Sequence, residues 1–513
     1  ARLPRLGRRR HRVCLGSPET TAIMLAVLLL SSGAACGLMF QSHAVSSQWD
    51  TWAFVENGTY YAYYLVTEHS PGEGFGVATS PDGQHWTDQG YVFHGPSWTE
   101  HRWWEGTGSV WRAPDYKTTG RYLINWSQDP GRYQNITFGQ SFDLIHWTPL
   151  DIYFDIDQRY YNLPGRWDCI YTIPTPQARL VGPASGSMDG YPRYGFWTAS
   201  PKQGAMGFGT THDGVSWEAL PSPTMVPPVS GEVGAVEYIR YGPGLTKAGY
   251  YALFGTAGHM VSYNASAAAG PYYAAIKNHV VLPSANACYF ARFFYSAEGE
   301  LLVTHQTYSH EGRTYVSPFK RAVVDDAGTL RFGWWAHNER LKGAEQAPLE
   351  PRGMAFSLVN RSVGTIIEAT LRLPPAAASP ADAARLPGFV IETAGGGGVI
   401  ATVDVLGRVV LSLVRDAAAP ANATAVQWGT FDRDLALPAG AAVAMRLLCR
   451  RDMLELYLDD LLFPVYLMPT TTGRVGVLPH ASALVSGARL WQMSLPADGE
   501  QNATHADRPS SAI

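Results

Sequence analysis

The chain has 513 residues, enough for two or three domains that each bury a full core. Charged residues make up 16% and aromatic residues 12%, with 16 Trp, 27 Tyr, 52 Gly and 35 Pro; this mixture excludes a helical bundle or a disordered chain and predicts many short strands joined by tight turns. A formal net charge of -4 gives no electrostatic footprint for nucleic acid, so no nucleic-acid partner is expected, and the aromatic-rich surface suits a neutral ligand such as a sugar.

Residues 1–44 read as a targeting segment. Arg2, Arg5, Arg8, Arg9, Arg10 and Arg12 precede an apolar run over residues 22–40, the pattern of a secretory signal peptide or an uncleaved signal anchor, and Ala34-Ala35-Cys36 offers a small-residue cleavage site. The expected route is the secretory pathway, ending outside the cell, in a vacuole or on a membrane through the N-terminal anchor. Sequons at Asn57, Asn125, Asn135, Asn264, Asn360, Asn422 and Asn502 agree with that compartment, although Asn125 lies in a strand-like run where a glycan would not fit. Outside the targeting segment Cys169, Cys288 and Cys449 form an odd set without close spacing, so neither a disulfide framework nor a zinc site is expected, and no cofactor is implied.

Residues 45–342 repeat a loose unit whose clearest mark is a turn ending in Trp: Ser80-Pro81-Asp82-Gly83-Gln84-His85-Trp86, Ser141-Phe142-Asp143-Leu144-Ile145-His146-Trp147 and Thr211-His212-Asp213-Gly214-Val215-Ser216-Trp217. Before each turn come an aromatic strand pattern, such as Tyr60-Tyr61-Ala62-Tyr63-Tyr64, and a strand rich in small residues. Four strands per unit is the signature of a propeller blade, and two further units with weaker marks bring the total to five blades. A single large sandwich is the competing architecture, but it does not explain the recurring Asp turn.

After Lys342 aromatic residues thin out and period-two strands appear around Ile366, Val399, Val409 and Met453, separated by Ala/Pro-rich insertions. Residues 343–497 therefore read as a β-sandwich of half-buried antiparallel strands, and residues 498–513 as a polar, disordered tail. The fold class is all-β: a five-bladed β-propeller followed by a C-terminal β-sandwich.

Glu232 and Glu237 stand in a run otherwise free of charge between Glu218 and Arg240. An acid at the head of an apolar strand needs a function or a partner. Asp50 in Trp49-Asp50-Thr51-Trp52 and Asp168 in Arg166-Trp167-Asp168-Cys169 lead into apolar strands in the same way. In a propeller the innermost strands begin around one funnel, so Asp50, Asp168 and Glu232 from the first, third and fourth blades are expected to converge there. The plain alternative is that both glutamates face solvent at a strand edge. Glu237, at an odd offset from Glu232, is expected on the opposite strand face, and it is the fallback acid if the register differs.

On these residues the chain resembles glycoside hydrolase family 32, the invertases and fructanases, with the arabinan- and xylan-acting family 43 close to it. Gly108-Ser109-Val110-Trp111, the run from Leu123 to Trp126, and Gln134-Asn135-Ile136-Thr137-Phe138-Gly139-Gln140-Ser141-Phe142-Asp143 are similar to that family's second blade. Leu454-Glu455-Leu456-Tyr457-Leu458-Asp459-Asp460 and Gly473-Arg474-Val475-Gly476-Val477 are similar to late strands of its sandwich. The resemblance implies hydrolysis of fructosides or a related furanoside, with carbohydrate as the partner and no metal. It implies Asp50 as nucleophile, Asp168 as transition-state stabiliser and Glu232 as acid/base. Three departures stand out: Thr51 replaces a Pro, Trp167 and Cys169 interrupt an Arg-Asp-Pro motif, and Val233-Gly234 replaces Cys-Pro. They leave open a family 43-like specificity, or a carbohydrate-binding protein without turnover.

The chemistry needs one ionised and one protonated carboxylate, with about 5–5.5 Å between them for retention and a wider gap for inversion. Flanked by Val and Gly, Glu232 is expected to be the desolvated, protonated member. Arg166 is expected to orient Asp168, and Trp103, Trp104 and Glu105, read as an exposed loop, to contact sugar. Arg292 and His305 are weaker candidates for the funnel wall, with structural roles as the alternative.

Overall fold

In the computed structural model, residues 40–495 are described except for 43–46, 68–70, 95–103, 130–132, 182–188, 257–258, 283–287, 309–313, 347–356, 374–385, 420–425, 434–436 and 439. Residues 1–39, 43 and 44 of the predicted targeting segment, the C-terminal tail, Trp103, Asn422 and Asn502 lie outside the described residues, whereas residues 40–42, expected to belong to that segment, pack on the propeller with Phe40 buried. Among the described residues no helix is long and apolar enough to cross a membrane.

Three blades are four-stranded antiparallel meanders in strict chain order. Their innermost strands are Ser47–Glu56, Trp104–Arg112 and Trp167–Pro174. The fourth blade begins with Glu232–Tyr241, and its outer edge is completed by the short preceding strand Met225–Val226, which pairs in parallel with Tyr272–Ala274. The fifth begins with Cys288–Tyr295. Contacts between successive innermost strands, and between the fifth and the first, close the ring. Before the chain enters the first blade, Phe40 bridges to Val316 of the fifth, where the Val316 N–H donates to the Phe40 carbonyl at 2.8 Å.

The recurring turn has one chemical construction in all three copies. In the first, Ser80 Oγ accepts the N–H of Gly83 at 2.8 Å, while Asp82 Oδ1 accepts those of Gln84 and His85 at 2.8 and 2.9 Å. Ser141 with Asp143, and Thr211 with Asp213, repeat these bonds. The position after the Asp is left-handed each time, at φ 76, 66 and 88. Glycine meets that need twice; Leu144 accepts it because its side chain is buried beside Trp147 and Tyr63.

The sandwich joins the fifth blade without a break in hydrogen bonding: Gly333 pairs with Leu461, so one eleven-stranded sheet runs from blade to sandwich. A six-stranded sheet covers it, and the core between them is aliphatic, built from residues such as Ile367, Leu371, Val399, Leu411, Leu447 and Leu456. The expectation of half-buried strands fails for Met453–Leu458, which is buried on both faces. Its outer face packs on the fifth blade, so Glu455 is fully buried against Lys320. Sequons fare unevenly: Asn57 and Asn360 are exposed, whereas Asn125 and Asn135 are buried.

Candidate active site

Each innermost strand carries a bulge near its start, where the ladder to the second strand of its own blade shifts register. The extra residues are Asp50 and Thr51, Gly106 and Thr107, Cys169 and Ile170, Gly234, and Phe290 and Ala291. Asp50, Cys169 and Phe290 take φ values of 44, 40 and 52, which non-glycine residues seldom adopt. Bulges bend a strand and re-aim its side chains. Gly234 also allows the fourth and fifth innermost strands to approach: a Cβ there would lie 2.3 Å from the Ala291 carbonyl oxygen.

The side chains beside these bulges meet. Arg166 bridges two of the predicted acids, donating from Nη2 to Asp168 Oδ2 at 2.5 Å and from Nη1 to Glu232 Oε1. Ser127 Oγ donates to the other Asp168 oxygen, and the phenol of Tyr289 donates to Glu232 Oε2 at 2.9 Å. Asp50 accepts from Thr107 Oγ1 at 3.1 Å. Burial, and next the negative charge of Glu232, push Asp50 up to about 7, while the Thr107 hydrogen bond opposes the rise. Burial also raises Asp168, against the pull of Arg166. The three acids thus come from three blades into one electrostatic unit.

Desolvation falls on a different acid from the one expected. The Glu232 side chain keeps 23% of its exposure and is held by Arg166, whereas Asp50 is buried and, among the described residues, no guanidinium is hydrogen-bonded to it. The sign of the consequence follows from linkage. A carboxyl raised from 3.8 to about 7 contributes stability that is complete below its unfolded pKa and is lost as pH rises through 7. Asp50→Asn removes that loss, so its thermal stability relative to wild type should increase between pH 5 and pH 8, by on the order of 2 kcal/mol. Melting curves at the two pH values check this; a difference independent of pH overturns it.

Other expectations change as well. Trp104 and Glu105 lie in the strand Trp104–Arg112, paired with Asp129 and Gln128, rather than in a loop. Arg292 is on the channel wall, with Nη1 donating to the Gly108 carbonyl at 2.8 Å and its guanidinium over the Phe290 ring. His305 turns away from the funnel: it is fully buried, with Nε2 4.0 Å from Glu455 of the sandwich. Glu237 is neither solvent-facing nor on the opposite face. The bulge at Gly234 consumes one residue, so Glu232 and Glu237 pair with Gly255 and Tyr251, an even separation that puts both on the same side. Glu237 is fully buried in an ion pair with Arg179 and accepts from the Tyr171 phenol at 3.3 Å, apart from the three acids. Thr107, Ser127 and Tyr289 were not singled out by sequence; Tyr289, at the head of the fifth innermost strand, shared the positional signal that marked the acids.

A cavity of about 410 Å³ opens farther along the channel, lined among others by Trp52, Ser109, Tyr171, Arg292 and Glu298, and includes none of the three acids. Cys169, Cys288 and Cys449 are buried and, among the described residues, form no disulfide, and no three His, Cys, Asp or Glu of those residues are grouped to hold a metal ion.

This architecture, a five-bladed propeller joined to a sandwich, is the fold of the glycoside hydrolase family 32 enzymes. Sucrose-6-phosphate hydrolase from Lactobacillus gasseri is similar over 90% of this chain and 93% of its own, with a TM-score of 0.64 and 11% identity. Fructan 1-exohydrolase IIa from Cichorium intybus matches over 90% and 98%, with a TM-score of 0.62 and 10% identity. The family 32 β-fructofuranosidase of Bombyx mori matches over 90% and 95%, with a TM-score of 0.60 and 11% identity. No family model and no curated protein matches the sequence.

Proposed function

We propose that the protein is a glycoside hydrolase acting on fructosides or a related furanoside, with Asp50 as nucleophile, Glu232 as acid/base and Asp168 as stabiliser of the oxocarbenium-like transition state. The observation that carries this reading is the single guanidinium of Arg166 spanning Asp168 and Glu232, beside an Asp50 whose acidity answers to both. The sucrose- and fructan-cleaving enzymes with this fold support the substrate class.

In turnover, Glu232 donates its proton to the departing glycosidic oxygen as Asp50 attacks the anomeric carbon; water later displaces Asp50, activated by the same Glu232. Asp168, fixed by Ser127 and Arg166, accepts sugar hydroxyls and opposes the developing positive charge. The productive state carries the proton on Glu232 and not on Asp50. A substrate that draws Arg166 away from Glu232 favours that transfer. The basic and apolar N-terminal segment and the exposed sequons at Asn57 and Asn360 support a secretory route.

A second reading, a carbohydrate-binding protein without turnover, is favoured by the same resting arrangement, in which Asp50 attracts the proton and Arg166 grips the proposed acid. Incubation with sucrose, inulin, levan, arabinan and aryl furanosides separates the two. Release of fructose from at least one fructoside is expected, and binding without release supports the second reading.

A further inference from the structure

A bulge withdraws a backbone N–H from its own ladder, and a buried donor needs another acceptor. In three blades an N–H at or next to the bulge is taken by a side chain from the second strand of the preceding blade in the ring. Gln306 Oε1, in the fifth blade, accepts the N–H of Asp50. Asn125 Oδ1, in the second, accepts the N–H of Ile170 at 2.8 Å. Thr198 Oγ1, in the third, accepts the N–H of Val233 at 3.1 Å. The receiving strands are those that carry Asp50, Asp168 and Glu232. Among the described residues, no neighbouring blade supplies a side chain to the bulge backbone at Gly106 and Thr107 or at Phe290 and Ala291, and those two strands contribute none of the three acids.

We infer that Gln306, Asn125 and Thr198 are positioning residues that brace the acid-bearing bulges from the adjacent blade. All three are buried, and their orientation is imposed from more than one side. Gln306 Nε2 donates to the Tyr308 phenol at 2.6 Å, which leaves Oε1 for Asp50. Asn125 clips Ile170 twice, accepting from its N–H and donating Nδ2 to its carbonyl at 3.0 Å. Thr198 pairs in the sheet with Asp168, so the residue that braces Glu232's strand is itself in register with the second acid. The separations among the carboxylates are thereby set by blade-to-blade packing and not by each strand alone. This matters because Asp50 holds a left-handed backbone at φ 44 that a free strand end would abandon.

The inference rests on the hydrolase reading for its catalytic consequence, and the test keeps the two separable. Thr198→Val removes the acceptor at nearly constant volume, and Thr198→Ser retains it; Gln306→Met removes the acceptor beside Asp50. With a cleaved fructoside, Thr198→Val should lower kcat about 10-fold with little change in KM, Thr198→Ser should restore most of it, and Gln306→Met should lower kcat about 100-fold, the scale of a small misplacement of reacting groups. Gln306→Met should also move the acid limb of the pH profile and, in its crystal structure, release Asp50 from positive φ. Folded Thr198→Val and Gln306→Met with unchanged kcat, pH limb and Asp50 backbone would overturn the inference. If wild-type protein cleaves nothing, the hydrolase reading fails by itself. The Asp50 backbone in crystals and its titration by carboxyl NMR then decide: altered values in Gln306→Met support the bracing, unchanged values refute it.

Discussion

Glu232→Gln is expected to lower kcat on sucrose by about 10³-fold while leaving the fold intact, the middle of the range for removing a positioned general acid. The glutamine carbonyl oxygen can still accept from Arg166 Nη1, while its NH2 group donates to the Tyr289 phenol oxygen with that bond reversed, so the site loses a proton donor but keeps both partners in place. The deficit should depend on the leaving group. An aryl fructoside, whose phenolate departs without protonation, should lose far less than sucrose. Asp50→Asn, in contrast, should abolish cleavage of both, because displacement of either leaving group needs the same nucleophile at the anomeric carbon. A Glu232→Gln enzyme equally impaired on both substrates would assign Glu232 to binding, and a fully active one would remove it from the mechanism.

Lys320→Met should destabilise the protein by about 3–5 kcal/mol, the scale for stranding one partner of a buried ion pair. Lys320 Nζ donates to Glu455 Oε1 at 2.6 Å and to the Pro318 carbonyl at 2.8 Å, and both ionic side chains are fully buried where the fifth blade meets the sandwich. Tyr457 donates to the other Glu455 oxygen at 2.8 Å, but it cannot neutralise the charge. His305 does not substitute: burial, with the charge of Lys320, drives its pKa well below the usual range, so it is neutral. Without Lys320 the carboxyl of Glu455 must take up a proton to remain buried. The penalty should therefore shrink on acidification and grow toward pH 8. Adding Glu455→Leu to Lys320→Met should recover most of the stability at neutral pH, and calorimetry of both variants at two pH values measures it. A single variant as stable as wild type at pH 8 would show that the ion pair contributes nothing net.

Much of the architecture was legible because it is local or repeats. Ser80, Asp82 and Gly83 build their turn within four residues, and two further copies disclosed the blade period. Asp50, Asp168 and Glu232 were legible because a carboxylate at the head of an apolar strand conflicts with its surroundings. Their partners were not. Thr107, Ser127 and Gln306 are unremarkable strand residues whose roles exist only once blades stand side by side.

By itself the sequence determined the all-β class, the five blades and the sandwich, and it singled out three acids, since alternation, turn chemistry and misplaced charge all operate over a few residues. Only the tertiary structure decided which acid is desolvated. That depends on Arg166 reaching Glu232 from another blade while Asp50 lies buried with no cation hydrogen-bonded to it among the described residues. It also decided the face of Glu237, because one bulge at Gly234 reverses strand parity, and the fate of His305 and Glu455, because the fifth blade and the sandwich pack together there and bury both. Burial and charge pairing sum over the whole neighbourhood in space, and neighbours from other blades are not written in the order of the chain.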